Sequence, residues 1–332
     1  MTSGPLRFGI LGAARIAPAA LVRPARSVEG VELRAVAARD GARARAFAAR
    51  HAIPIVHPSY EALLADPEID AVYNPLPNGL HGVWTMRALR AGKHVLCEKP
   101  FSANADEARA VAAVSRDTGR FAMEAFHWRH HPLAARMLEI VASGELGEIR
   151  HVEAHLCAPI LNTKDIRYRL DLAGGAGMDM GCYALHFVRT LGAAEPSVKA
   201  ARAKLLSPGV DRAMEVDLVF PSGATGHAIC SMLSRRLLDV SGRVEGTRGS
   251  LRILNPFAPH LFHRLRVETP AGARSERVRG PASYACQLVA FVRAVREGAP
   301  LPTGLDDAIA NMALIDAAYR AAGLEPRAPS HG

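Results

Sequence analysis

The feature that most constrains this chain is the regular alternation of short apolar runs with helix-like segments over its first 125 or so residues. Arg7-Phe8-Gly9-Ile10-Leu11 is strand-like, and a small-residue turn and a helical stretch to about Ser27 follow. Val31–Ala37 reads as a second strand and Gly41–His51 as a helix. Ile55-Val56, then a helix opened by Ser59 as its cap, then Asp70–Asn74 continue the pattern. A helix from His81 to Ala91 ends at Gly92, the strand Lys93–Cys97 follows, and a helix over about 105–118 leads to Phe121–Ala125. Strands that alternate with helices pair in parallel through right-handed crossovers, so a doubly wound sheet is expected.

Near residue 130 the rhythm changes. A helix over Pro132–Ser143 precedes strand-like segments at 149–156, 198–205, 214–220, 224–232, 237–245, 249–254 and 264–268. Successive strands joined by tight turns, such as Pro221-Ser222-Gly223, predict a largely antiparallel open sheet in an α+β domain. Helices at about 282–297 and 305–322 close the chain. The expected division is a Rossmann domain over 1–128, an α+β substrate and oligomerisation domain over 129–304, and a C-terminal helix and tail over 305–332 packing back on the first domain. A chain of 332 residues suits two cores better than one.

Composition excludes more than it assigns. Hydrophobic residues are 49% and charged residues 22%, ordinary for a globular protein, and no apolar run approaches the roughly 20 residues of a membrane span. Met1 to Leu6 lacks a signal-peptide pattern, so a cytoplasmic location is expected. The net charge of +9 comes from arginines spread through helix-like segments, without interleaved aromatics, and does not describe a nucleic-acid surface. Five scattered cysteines with no Cys-x-x-Cys pair argue against a disulfide framework and fit a reducing compartment.

The turn after the first strand, Gly12-Ala13-Ala14-Arg15-Ile16-Ala17, follows a dinucleotide fingerprint loosely. Ala14 and Ala17 replace its second and third glycines; the third place needs only a small residue, but Ala14 is a departure where backbone approaches pyrophosphate. A helix N-terminus here would set backbone N–H groups against phosphate oxygens. The second strand ends Ala37-Ala38-Arg39-Asp40. A guanidinium at Arg39, helped by Arg43, suits a 2′-phosphate and favours NADP over NAD; Asp40 on the ribose hydroxyls is the competing reading.

With the early loop, three further segments, Asn74-Pro75-Leu76-Pro77-Asn78-Gly79-Leu80-His81, Glu98-Lys99-Pro100 and Gly174–Tyr183, make nearly the whole chain resemble the glucose–fructose oxidoreductase/inositol dehydrogenase (Gfo/Idh/MocA) superfamily. Within it the chain is most similar to NADP-type sugar ketoreductases and the xylose/dihydrodiol dehydrogenase branch. The resemblance implies that Lys99 lies near the nicotinamide ribose and substrate hydroxyl, that Asp179 orients substrate, and that Tyr183 takes an acid/base position where inositol-type members carry histidine. It implies a cis Lys99–Pro100 bond, a nicotinamide side lined by Asn74, Pro75, Leu76, Asn78 and His81, and a homodimer or homotetramer. The cofactor set expected is Gly12, Ala14, Arg15, Ile16, Ala38, Arg39, Arg43, the 74–81 positions just named, Glu98, Lys99 and Pro100.

The chemistry is coherent on its own terms. Hydride transfer at a carbinol or carbonyl carbon must be coupled to proton movement on its oxygen. A phenol with a pKa of about 10 can donate in reduction, and a nearby ammonium would help it act as a base. Asp179 and Tyr183 share a face if a helix opens there. No metal is required. His127, His130 and His131 invite a metal reading, with His127 and His131 four apart, but no further ligand completes that pair and no His-Glu-x-x-His pattern occurs, so the three are placed at the crossing into the second domain. His127, Arg129, Asp165 and Arg167 are further substrate-contact candidates, with an Asp165–Arg167 ion pair as the alternative for the last two. The function expected is NADP-dependent interconversion of carbonyl and secondary alcohol on a sugar or cyclic polyol. Two alternatives stand beside it: a redox-assisted glycosidase or lyase holding NAD tightly, and a non-catalytic nucleotide-binding sensor.

Overall fold

The computed structural model describes residues 4–234 and 237–330. The first three residues of the expected nucleotide domain and the last two of the expected tail lie outside them. Two compact units emerge: residues 4–127 with 284–309 and 329–330, and residues 128–283 with 310–328.

In the first unit the strands are β1 (Leu6–Leu11), β2 (Val31–Ala37), β3 (Ile55–His57), β4 (Ala71–Asn74), β5 (His94–Cys97) and β6 (Ala122–Glu124). They form one sheet in the order β3-β2-β1-β4-β5-β6, with every pairing parallel. This is the doubly wound order, and it reverses direction between β1 and β4. The central strands β1 and β4 are apolar almost throughout because helices cover both sheet faces. Local chemistry explains the helix starts: Asp40 accepts amide bonds from Ala42 and Arg43, Ser59 from Ala62, and Asn104 from Glu107. From Tyr284 on, the helix Ser283–Glu297 belongs to this unit, not to the 129–304 domain expected. Its Leu288, Phe291 and Val292 fall on one helical stripe and join the core of Phe8, Ile10 and Met123, with the Phe8 and Phe291 rings 5.6 Å apart.

In the second unit the strands are β7 (Ile149–Cys157), β8 (Ser197–Ser207), β9 (Val210–Val219), β10 (Thr225–Ser231), β11 (Asp239–Gly246), β12 (Ser250–Leu254), β13 (Arg264–Thr269) and β14 (Gly272–Glu276). Their order is β14-β13-β12-β11-β7-β10-β9-β8, and only the β7–β10 pair is parallel among them. β14 carries no apolar residue but Ala273, so hydrophobic patterning does not announce it. One sheet face packs on the helix Cys182–Gly192, where Gly242 makes room for the Phe187 ring and Gly226 for Val188. The other face is polar and carries Glu153, His155, Arg243, Arg252 and Arg266 around a shallow concavity.

The closing helix Leu305–Ala321 also departs from expectation. Only its first turn goes with the nucleotide unit; residues 310–328 belong to the second. The reason is polar: Asn311 donates to the Cys182 carbonyl at 3.3 Å, and the Tyr319 hydroxyl donates to Asp211 at 2.9 Å. Among the described residues no helix is long and apolar enough to cross a membrane.

Candidate functional site

At the carboxyl ends of the parallel strands the first unit gathers the expected nucleotide-binding residues. Gly12–Ile16 leaves β1, Ala38–Arg43 leaves β2, Pro75–His81 leaves β4 and Glu98–Pro100 leaves β5. In open α/β sheets ligands bind at this edge, by the point where the strand order reverses. Gly12 has φ +93° and donates its N–H to the Ala37 carbonyl at 2.6 Å. A Cβ there would lie 3.1 Å from Leu76 Cδ2 and 3.7 Å from the Tyr60 hydroxyl, so the turn needs glycine for conformation more than for space. The following helical stretch starts at Pro18, later than a helix opening directly on the glycine would, and Arg15 and Ile16 stay exposed.

At the β2 tip Asp40 is committed to capping the next helix, with its Oδ1 2.9 Å and 3.1 Å from the Ala42 and Arg43 amides. Arg39 is exposed, and its charge reaches the Tyr60 hydroxyl, as does that of Arg43. Arg43 Nη2 donates to the Ala13 carbonyl at 3.3 Å and so lies against the glycine loop.

Behind the loop the polar residues turn inward. Asn74 is fully buried, and its amide nitrogen donates to the His81 carbonyl and to Thr85 Oγ1. His81 is also buried, with Nε2 2.6 Å from the Leu76 carbonyl and Nδ1 2.6 Å from the Pro100 carbonyl. Burial holds the imidazole down to about 4, outweighing the two carbonyls, and the Lys99 ammonium nearby lowers it further. His81 therefore braces the 76–81 loop against the Lys99–Pro100 segment, whose peptide bond is cis as expected. Glu98 accepts from the Tyr73 hydroxyl at 2.7 Å. Lys99 is half-buried.

One residue here was not anticipated. Tyr284 stacks on His127, with ring centroids 4.0 Å apart, and burial followed by the Glu98 charge pushes its hydroxyl well up. It enters from the late helix Ser283–Glu297, and no motif marks it in the sequence.

The second unit holds the other candidates. The glycine-rich segment forms a wide helical turn, Gly177–Gly181, that runs on into the helix Cys182–Gly192. Asp179 lies in the turn and Tyr183 in the helix's first turn. The Tyr183 ring is mostly covered, 5.4 Å from that of Phe257. Asp165 caps its own short turn and pairs with Arg167 Nη1 at 3.0 Å, the alternative left open for these two. The same guanidinium reaches Asp179 Oδ2 at 3.0 Å through Nε. Arg167 is thus a bridge between two carboxylates, and the Asp179 charge, ahead of Asp165, pushes it up. Of the remaining candidates, Arg129 is half-buried in the short turn His127–His130. His131 caps the next helix by accepting from the Leu133 amide, and burial brings His130 down to about 3. Among the described residues no group of three or more His, Cys, Asp or Glu side chains could hold a metal ion.

Comparison with known proteins agrees over most of the chain. Residues 6–126 match the GFO/IDH/MocA oxidoreductase family, NAD-binding Rossmann fold, and residues 134–252 match the GFO/IDH/MocA C-terminal domain. A D-xylose 1-dehydrogenase (NADP(+)) of Haloferax volcanii is 39% identical over 320 residues, 96% of this chain and 97% of that one. A dTDP-3,4-didehydro-2,6-dideoxy-alpha-D-glucose 3-reductase of Streptomyces violaceoruber is 34% identical, over 88% of this chain and 85% of its own. Among solved structures, a 3-ketoreductase from Actinomadura kijaniata in complex with NADP and TDP-benzene superposes with a TM-score of 0.88 at 30% identity, covering 95% of this chain and 97% of its own. The chain belongs to the GFO/IDH/MocA family of oxidoreductases, with an NAD-binding Rossmann domain.

Proposed function

We propose that this protein is an NADP-dependent oxidoreductase interconverting a carbonyl and a secondary alcohol on a sugar or cyclic polyol. The observation that carries the reading is the carboxyl edge of the parallel sheet, from which the Gly12 turn, Arg39 and Lys99 all leave. Asp40 is engaged at a helix cap, so the β2 tip presents a guanidinium, which suits a 2′-phosphate. The names of the Haloferax and Actinomadura relatives, one an NADP(+) enzyme and the other crystallised with NADP, support the same choice.

The dinucleotide, when bound, supplies the hydride donor or acceptor. In this reading Gly12, Ala14, Arg15 and Ile16 cradle its phosphates, and Ala38, Arg39 and Arg43 hold the adenosine end. Asn74 and His81 brace the nicotinamide-side loop from behind, and Pro75, Leu76, Asn78, Glu98 and Pro100 shape it. Lys99 and Tyr183 handle the proton on the substrate oxygen. Asp179, clamped by Arg167, orients substrate hydroxyls, and His127, Arg129 and Asp165 complete the substrate contacts. Location in the cytoplasm fits five scattered cysteines with no Cys-x-x-Cys pair, four of them buried. The polar sheet face of the second unit is the surface for a homodimer or homotetramer, and a monomer in light scattering at micromolar protein overturns that part.

Fluorescence titration with NADPH and NADH is the first test, followed by NADP+ reduction with D-xylose, D-glucose, D-galactose and trans-1,2-cyclohexanediol. The expected result is tight NADPH binding, weak NADH binding and turnover of at least one compound that Lys99→Ala abolishes. Near wild-type turnover by Lys99→Ala, or no turnover across the panel, overturns the reading. A non-exchanging bound NAD with sugar cleavage would replace it with redox-assisted elimination. Nucleotide binding with no chemistry on any compound would replace it with a nucleotide-binding sensor, and binding of neither nucleotide with a scaffold.

A further inference from the structure

The segment that carries Asp179 is held from beneath by a group that the proposed chemistry leaves unused. Asp211, on β9, is fully buried, and so is Arg327 in the tail beyond the last helix. Arg327 Nη2 donates to Asp211 Oδ1 at 2.7 Å, and the Tyr319 hydroxyl donates to the same oxygen at 2.9 Å. The guanidinium carbon sits 4.2 Å over the Tyr319 ring. Both partners then grip the glycine-rich backbone. Asp211 Oδ2 accepts the Gly177 amide at 2.6 Å, and Arg327 Nε donates to the Gly174 carbonyl at 2.8 Å.

The gripped backbone leads directly to the substrate-orienting pair. Gly175 N–H donates to the Arg167 carbonyl at 2.8 Å, and Gly175 C=O accepts the Asp179 amide at 3.0 Å. One residue, Gly175, therefore sets the main chain of both Arg167 and Asp179, whose side chains pair at 3.0 Å. A buried charged pair in which each partner also bonds the same short segment is a device for holding geometry more than for adding stability.

We infer that Arg327, acting with Asp211, is a positioning residue for the reaction: it fixes the backbone at Gly174–Gly177 and through it the Arg167–Asp179 clamp that orients substrate. The inference rests on the proposed role of Asp179. It makes the C-terminal tail, which carries no motif in the sequence, part of the apparatus for catalysis.

The test compares Arg327→Met, Arg327→Lys and the double variant Asp211→Asn/Arg327→Met, assayed with NADP+ and the best compound of the panel above. The double variant removes both charges together, so it carries the comparison if Arg327→Met does not fold. The expected result is a fall in kcat/KM for the sugar of at least about tenfold in the Met variants, with NADPH affinity unchanged. Arg327→Lys, which keeps the pair with Asp211, recovers part of that loss. Sugar kcat/KM within twofold of wild type in the folded double variant overturns the inference, as does a loss of NADPH affinity in step with kcat/KM. Asp179→Asn separates the two claims. If it is inactive while the Arg327 variants are normal, only the clasp fails; if it is fully active, the site reading fails beneath it.

Discussion

Two glycine-bearing turns carry proposed site residues, and they are backed by opposite kinds of chemistry. The turn at Gly12 rests on the tip of Leu76 and on the Tyr60 hydroxyl, and the loop behind Leu76 is braced by a buried histidine. The segment at Gly174–Gly177 lies on a buried ion pair and tyrosine that touch its backbone directly. The first backing is soft and can yield to an arriving nucleotide. The second is charged, has little room to shift, and fixes the backbone that leads to Arg167 and Asp179. Glycine is required in both, at Gly12 mainly for its φ and at Gly175 for φ and space together.

The comparison breaks most sharply at Gly175→Ala. Its φ is +135°, and a Cβ would overlap Asp211 Oδ1 and lie 2.7 Å from Arg327 Nη2 and 2.8 Å from the Tyr319 hydroxyl. None of these can retreat without breaking the clasp. Strain and overpacking together predict a loss of about 4 kcal/mol, a fall in Tm on the order of 10 °C, readable by thermal unfolding. A variant as stable as wild type would show the clasp to be pliable.

This segment also shows what a sequence can and cannot disclose. Gly174–Tyr183 stands out as a motif, and strand–helix alternation exposes the Rossmann half, because both are local patterns. The cause of the glycines is not local. Asp211 reaches them from another strand and Arg327 from the far end of the chain, and neither carries a motif. The Arg167–Asp179 bond was hidden for the same reason, as was Tyr284. The domain boundary near 304 failed because a helical stripe of Leu288, Phe291 and Val292 does not say which core it covers. At Asp40 the opposite happened: the local rule for helix caps applied, and a functional reading competed with it.

On the nucleotide side the expected weakness is acid. His81 is lowered from 6.5 to about 4, mainly by burial. Between those values the unfolded chain takes up a proton that the folded chain refuses, so stability falls as pH drops from about 6.5 to about 4 and then levels. The upper bound is about 3 kcal/mol. Urea unfolding across that range should lose part of its slope in His81→Gln, measured as the difference from wild type because other histidines titrate too. Amide exchange should loosen over 74–81 and 97–101 at pH 5 while 174–183 stays protected. Parallel loosening of both would erase the distinction between the two turns.

Gly12→Ala should be milder than its counterpart at Gly175. The new methyl meets Leu76 Cδ2 at 3.1 Å, a side-chain end that can move by a few tenths of an ångström, and the main cost is φ +93°. A loss of about 1–2 kcal/mol is expected, with weaker NADPH binding from a shifted backbone. A penalty equal to that of Gly175→Ala would mean that the loop is as tightly built as the clasp.

The smallest effect sharpens the comparison from outside the turns. The Gly12 loop is flanked by two arginines of different standing. Arg43 is tied to the Ala13 carbonyl, whereas Arg39 stands exposed at the strand tip. On the proposed reading Arg39→Ser removes a charge-assisted contact to a 2′-phosphate without touching the loop, and should weaken NADPH about tenfold while leaving NADH unchanged. Arg43→Ser removes a bond to the loop itself, so its loss should fall on both nucleotides. The ratio of the two dissociation constants in each variant is therefore the decisive quantity. A change in that ratio for Arg39→Ser alone assigns nucleotide choice to the strand tip and support to the loop. The same change in both variants makes the two arginines a single phosphate site, and no change in either removes the argument for NADP from this edge of the sheet.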